Sequence, residues 1–190
     1  MYYKKMIGKR IYLSPIDPED YKLYTEWIND MEVGLGITFS RMLMSEATEK
    51  EALERISKNG YNFAVVDNET NLTIGNVGFP AIDQVNRKGT VGIFIGDKKY
   101  WNNGYGGEAL SLLMDFGFNI LNLHSINLVV FGFNKPAIRC YEKIGFKEAG
   151  RLREAKIMAG EKYDEIYMDI LASEFESPYI KELMDERIGK

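Results

Sequence analysis

An α+β fold built on one mixed, mostly antiparallel sheet is predicted by three observations. Runs at 61–66, 72–79 and 90–95 are rich in β-branched and aromatic residues, with only turn signals between them, as in a meander of consecutive strands. A long apolar helix pattern over 109–121 then leads to another strand-like run over 125–133, so the sheet continues past the meander through a helix. Between meander and helix lies Tyr100-Trp-Asn-Asn-Gly-Tyr-Gly-Gly-Glu-Ala109, whose three glycines free the backbone at a strand-to-helix junction.

Each element has its own local signal. Residues 10–16 read as the first strand, punctuated by Pro15, Asp17 and Pro18, and Asp17 is placed to cap a helix running to about residue 30. Leu23, Trp27 and Ile28 supply that helix's apolar stripe, and 31–40, with Gly34 and Gly36, read as a loop. Thr48 and Glu51 have the spacing of a capping box at the start of a second helix over 48–58, which Gly60 ends. Residues 67–71 join the first two meander strands as a hairpin.

Leu110, Leu113, Met114, Phe116, Gly117, Ile120 and Leu121 form a stripe too broad for a surface helix, which predicts that the 109–121 helix is largely buried. The run Leu128-Val129-Val130-Phe131 shows little alternation, as expected near the middle of a sheet. Asn134 can cap a short helix with Pro136 in its first turn and Gly145 just past its end. Residues 151–158 and 161–171 bracket Ala159-Gly160 as a final hairpin, and an amphipathic helical tail follows from Ser173. The strands number about seven, in a single domain over 1–172 with a tail over 173–190.

Composition narrows the function classes. With 190 residues, 45% of them hydrophobic, the chain can bury a sizeable core. A formal charge of −4 argues against a nucleic-acid binder that works by neutralising phosphates. The single cysteine, Cys140, excludes a disulfide framework and a cysteine-rich zinc site, and no metal is expected. The N-terminal segment lacks a signal h-region, and no apolar run approaches the about 18 residues of a membrane span. A cytoplasmic protein without membrane contact is the expectation.

The glycine loop is suited to an anion, because its N–H groups can close on a phosphate and the following helix adds its unpaired first-turn amides. Gly104-Tyr-Gly106-Gly-Glu-Ala109 also fits the G-x-G-x-x-A dinucleotide fingerprint. That fingerprint requires a βαβ unit and an acidic residue about 20 positions on, where this chain has Ile126-Asn-Leu-Val-Val-Phe131. Three meander strands before the loop also argue against it.

Strand, glycine loop, helix, strand, then Asn134-Lys-Pro-Ala137-Ile-Arg-Cys-Tyr141-Glu-Lys-Ile-Gly145-Phe146 closely resemble the acetyl-CoA-binding half of the GNAT superfamily of N-acetyltransferases. The loop and the first strand, Arg10-Ile-Tyr-Leu-Ser-Pro, are similar to the branch with ribosomal-protein-alanine and spermidine N-acetyltransferases, so the resemblance spans about residues 8–172. It implies an α/β/α layered fold and acetyl-CoA as co-substrate. The pyrophosphate would be gripped by Asn102, Asn103, Gly104, Tyr105, Gly106 and Gly107, and the pantetheine arm would pair with the strand around Phe94 and Ile95. Asn134 would lie near the pantetheine amides, Ala137 would also bind the cofactor, and Tyr141 would protonate the departing thiolate.

Chemistry bears on that last role. Attack of an amine on a thioester needs a neutral amine, a stabilised oxyanion and a proton for the thiolate. A phenol of pKa about 10 has little driving force toward a thiolate whose conjugate acid lies near about 8.5, so placement has to matter. Taken alone, Asn134 reads as a helix cap and Tyr141 as a packed side chain. Many relatives carry Glu where this chain has Thr90, which cannot act as a base, and this keeps open a non-catalytic acyl-CoA-binding module. The acceptor would be a small-molecule amine or polyamine, or a protein N-terminus. Glu26, Asp30 and Glu32 could attract it, though a solvated helix face is the better explanation of them, and Tyr163, Asp164 and Glu165 carry the same ambiguity. His124 reads as structural and Cys140 as lacking a partner to activate it. Tails like the one from Ser173 support homodimers.

Overall fold

The computed structural model describes residues 1–37, 43–58 and 60–189. Its strands are β1 (Met6–Ile7), β2 (Ile11–Pro15), β3 (Asn62–Asp67), β4 (Thr73–Asp83), β5 (Lys88–Ile95), β6 (Ser125–Phe131), β7 (Lys147–Met158) and β8 (Glu161–Leu171). Hydrogen bonding orders them β1-β2-β3-β4-β5-β6-β8-β7. The β5–β6 pair is parallel, while β1–β2, β2–β3, β3–β4, β6–β8 and β7–β8 are antiparallel. Among the described residues the sheet is thus mixed and mostly antiparallel, with eight strands against the expected seven or so. The additional one, β1, is two residues long and too short to show an alternation in sequence.

By internal packing the chain divides into two compact units, Met1–Gly78 with Ile93–Ala109, and Phe79–Gly92 with Leu110–Lys190. In the first unit a 3-10 turn, capped by the Asp17 carboxylate accepting from the Glu19 N–H at 3.1 Å, leads into α1 (Tyr21–Asn29). Where a loop was expected, α2 (Met31–Gly34) forms, because Asp30 accepts from the Glu32 N–H at 2.9 Å and caps it. Residues 38–40 of that expected loop lie outside the described residues. Helix α3 (Glu46–Ser57) is capped by Ser45 rather than Thr48, since Ser45 is extended and its Oγ accepts from the Thr48 N–H at 3.2 Å.

The core of this unit gathers Tyr12, Tyr24, Trp27, Leu53, Ala64 and Val66, with Phe94 and Trp101 packed against it. The Trp27 ring lies 5.2 Å from Tyr24 and 5.9 Å from Phe94, distances at which tilted and edge-on aromatic pairs attract. Gly96 makes that packing feasible, because a methyl group there would intrude on the Trp27 ring. Gly96→Ala is therefore expected to cost about 1–3 kcal/mol and to lower Tm by about 2–12 °C. Thermal denaturation checks this, and an unchanged Tm would mean that Trp27 yields freely.

Helix α4 (Tyr105–Asn119) begins four residues before the predicted start, so Gly106 and Gly107 belong to its first turn. Its interior is buried as expected, but it ends at Asn119 and leaves Ile120 half exposed. In the second unit, Gly117 brings the helix close to Phe79 and Ile126, at 2.7 and 3.1 Å from the position of a methyl group. Strand β6 alternates after all: Ile126, Leu128 and Val130 are buried and Val129 is exposed. Its apolar run reflects one packed face, not two. The final hairpin turns through Ala159 and Gly160, both at positive φ, and α6 (Ile180–Ile188) forms the helical part of the tail. Among the described residues, no helix is long and apolar enough to cross a membrane.

Candidate active site

The glycine loop and β5's C-terminal end lie together in the first unit. Asn102 and Gly104 both adopt left-handed conformations, with φ of +57° and +83°, and together they turn the chain into α4. The first helical bond of that turn runs from the Glu108 N–H to the Gly104 carbonyl at 3.1 Å. The N–H groups of Tyr105, Gly106 and Gly107 therefore precede it and carry the positive end of the helix dipole. This is the arrangement an anion requires.

Sequence reasoning missed what fixes the loop. Arg10, at the mouth of β2, donates from Nη1 to the Asn103 carbonyl at 2.7 Å and from Nε to the Glu108 carboxylate at 2.9 Å. Its backbone N–H takes the other Glu108 oxygen at 2.8 Å, and its guanidinium lies 4.3 Å from the Tyr105 ring centre. Trp101 donates from its indole to the Ile95 carbonyl at 2.7 Å. Loop and strand are thus tied by a side chain rather than by charge. The Ile95 carbonyl retains one lone pair, and the Phe94 carbonyl lies against Gly75, where any side chain would overlap it.

The Asn134–Tyr141 segment lies in the second unit. Asn134 caps α5 (Lys135–Ile144), its Oδ1 accepting from the Ala137 N–H at 3.2 Å, and Gly145 ends the helix at φ +112°. Seven residues separate Asn134 from Tyr141, close to two helical turns, which aligns them along one side of α5. The Tyr141 ring meets Phe146 edge-on at 6.0 Å and is half-buried. Burial holds its phenol well above the ordinary tyrosine range, with a smaller push from Cys140. Burial likewise raises the Cys140 thiol, which leaves it a poor nucleophile near neutral pH.

The carboxylates expected to draw an amine have other occupations. Lys98 Nζ sits 2.6 Å from Asp30 Oδ2 and 3.0 Å from Glu32 Oε2, and the hydrogen bond from Lys98 holds the Asp30 carboxyl below its usual range. Two of the three acids thus already carry a cation, supplied by a lysine too far along the chain for sequence spacing to reveal. Glu26 is exposed on α1. In the final hairpin, Asp164 accepts from the Glu154 N–H at 3.0 Å and pairs with Arg151 at 3.3 Å, while Tyr163 meets Phe133 edge-on at 5.0 Å. Thr90 donates to Asn127 Oδ1 at 3.0 Å, a structural use of its hydroxyl. His124 is exposed, and its backbone N–H and carbonyl bond Arg87 and Ala172. Among the described residues, no group of three His, Cys, Asp or Glu side chains is arranged to hold a metal ion.

Comparison with known proteins is consistent with this geometry. The acetyltransferase (GNAT) domain family matches residues 10–147. An uncharacterised N-acetyltransferase, p20, of Bacillus licheniformis is 28% identical over 171 residues, covering 88% of this chain and 96% of the relative. The spermidine N(1)-acetyltransferase of Vibrio cholerae is 34% identical over 113 residues, covering 60% of this chain and 64% of that protein. A crystal structure of spermidine N-acetyltransferase from Vibrio cholerae with CoA and spermine superposes with a TM-score of 0.77 at 25% identity, covering 88% of this chain and 98% of that one.

Proposed function

Since the chain belongs to the GNAT acetyltransferase family, and is an N-acetyltransferase acting on amines, we propose that it transfers acetyl directly from acetyl-CoA to a primary amine in a ternary complex. The observation that carries this is the loop, with Asn102 and Gly104 left-handed and three N–H groups ahead of the first helical bond. Asn102 through Gly107 bind the pyrophosphate through those amides. Phe94 and Ile95 offer strand backbone to the pantetheine arm, and Asn134 and Ala137 are further cofactor-binding residues. The neutral amine attacks the thioester carbon, the C–N bond forms as the C–S bond breaks, and Tyr141 gives its phenolic proton to the departing sulfur. Thr90 cannot take the ammonium proton, which passes to a water relay, a carboxylate or bulk solvent, and solvent returns a proton to the tyrosinate. Polyamines head the acceptor candidates, on the strength of the spermidine-acetylating relatives.

Gly106 offers a clean test. A methyl there would meet Ile93 and Ile95 side-chain carbons at 3.6 and 3.7 Å, ordinary contact distances. The folded chain therefore tolerates alanine, and helix propensity favours it by up to about 1 kcal/mol. An anion pressed against the Gly106 N–H does not tolerate it. Gly106→Ala is expected to keep or raise Tm while weakening acetyl-CoA binding about tenfold or more by isothermal titration. Unaltered affinity would remove the loop from the donor site. Thiol release measured with spermidine, spermine and an N-terminal peptide then separates the acceptor classes.

A further inference from the structure

Glu108 poses a problem for the loop just described. An acidic side chain in the first turn of a helix interacts favourably with the dipole, but a diphosphate seeks the same positive end and is repelled by a carboxylate there. The Glu108 side chain is only 8% exposed, so water screens it little. Arg10 resolves the conflict. Both carboxylate oxygens face Arg10, one on Nε at 2.9 Å and the other on the backbone N–H at 2.8 Å, so the charge is neutralised and directed into β2.

The same guanidinium holds the Asn103 carbonyl at 2.7 Å and lies 4.3 Å from the Tyr105 ring centre. One planar side chain therefore fixes three loop positions, 103, 105 and 108. Its Nη2 lies 3.3 Å from where a methyl on Gly104 would stand, which places the guanidinium directly against the left-handed turn. Lysine offers neither the fork nor the stacking plane.

We infer that Arg10 is a positioning residue for the phosphate-bearing half of the donor, masking Glu108 and holding the Asn103–Gly104 turn so that the loop amides remain free for the diphosphate. The inference rests on the donor reading above. It separates recognition of coenzyme A's phosphates from the acyl-transfer step.

The test compares two donors, acetyl-CoA and phosphate-free S-acetyl-pantetheine, on wild type, Arg10→Ala, Arg10→Lys, Glu108→Gln and the Arg10→Ala/Glu108→Gln double variant. Arg10→Ala is expected to raise the calorimetric Kd for acetyl-CoA about tenfold, to keep kcat at saturating donor within about twofold, and to leave KM for S-acetyl-pantetheine unchanged. Arg10→Lys should fall between wild type and Arg10→Ala, and it keeps the test alive if the alanine variant misfolds. Adding Glu108→Gln to Arg10→Ala should recover at least about threefold of the lost affinity, since the unmasked carboxylate is gone. Equal losses with both donors, or no recovery in the double variant, would overturn the inference by reducing Arg10 to a structural tie. Failure of the wild type to bind acetyl-CoA would instead overturn the donor reading itself.

Discussion

Tyr141→Phe is expected to lower kcat by about 10²–10³-fold while changing acetyl-CoA affinity by less than about twofold. The substitution removes one oxygen and keeps the ring that meets Phe146 at 6.0 Å, so folding stability should hardly move. Burial raises the phenol pKa, and the sign of that shift matters. A raised value keeps the proton in place through neutral pH and past the ordinary tyrosine pKa of about 10, so this group gives no alkaline loss of activity below about pH 10. The same shift makes the phenol a weaker acid. Transfer then has to occur as the C–S bond breaks, while charge is building on sulfur. The pH profile of kcat/KM should accordingly rise through the acceptor amine's pKa and stay level above it. Unchanged kcat in the phenylalanine variant would remove Tyr141 from the proton-donor role, and an alkaline limb near pH 8–9 in wild type would assign the titration to another group.

What could be read from the chain and what could not divide along the range of the interactions. Helix α5 was legible in full, because Asn134, Pro136 and Gly145 each act within a few residues of the turn they control. The turn of the glycine loop into α4 was legible for the same reason. Ser45 displaced Thr48 as the cap of α3 because either residue can serve, and only the backbone conformation decides between them. Residues 128–131 hid the alternation of β6, since Val129 and Phe131 are apolar on the less buried face as well. The features that set the candidate site's electrostatics lie outside any local pattern. Arg10 and Glu108 are 98 residues apart, and Lys98 reaches Glu32 across 66. No periodicity or capping rule spans such distances, so the mask on Glu108 and the neutralisation of Asp30 emerge only with the fold.

Asp115 is the same kind of long-range device, and it carries the largest expected effect on stability. Its side chain is fully buried in α4, where it accepts from Asn119 Nδ2 and Ser177 Oγ, each at 2.6 Å. It also takes the backbone N–H groups of Tyr179 and Ile180 at 2.8 and 3.0 Å, and the Ser177 hydroxyl it holds accepts from the Lys181 N–H at 3.0 Å in the first turn of α6. A carboxylate from another helix thus caps the tail helix and places a negative charge at the positive end of its dipole. None of the residues of α6 is buried, Leu183, Met184 and Ile188 are exposed, and ahead of the helix Phe118 meets Phe175 at 5.3 Å. Asp115→Ala removes one acceptor from four donors, a loss of about 3–5 kcal/mol for a buried, hydrogen-bonded charge. Much of that loss should appear locally, because the tail can detach while the strands remain paired. Hydrogen exchange should show amides of α6 losing protection far more than those of β6 or β8, with proteolysis appearing after residue 174. Asp115→Asn keeps one acceptor oxygen and should lie between alanine and wild type. Retained protection across α6 in the alanine variant would show that apolar contacts, rather than this carboxylate, anchor the tail.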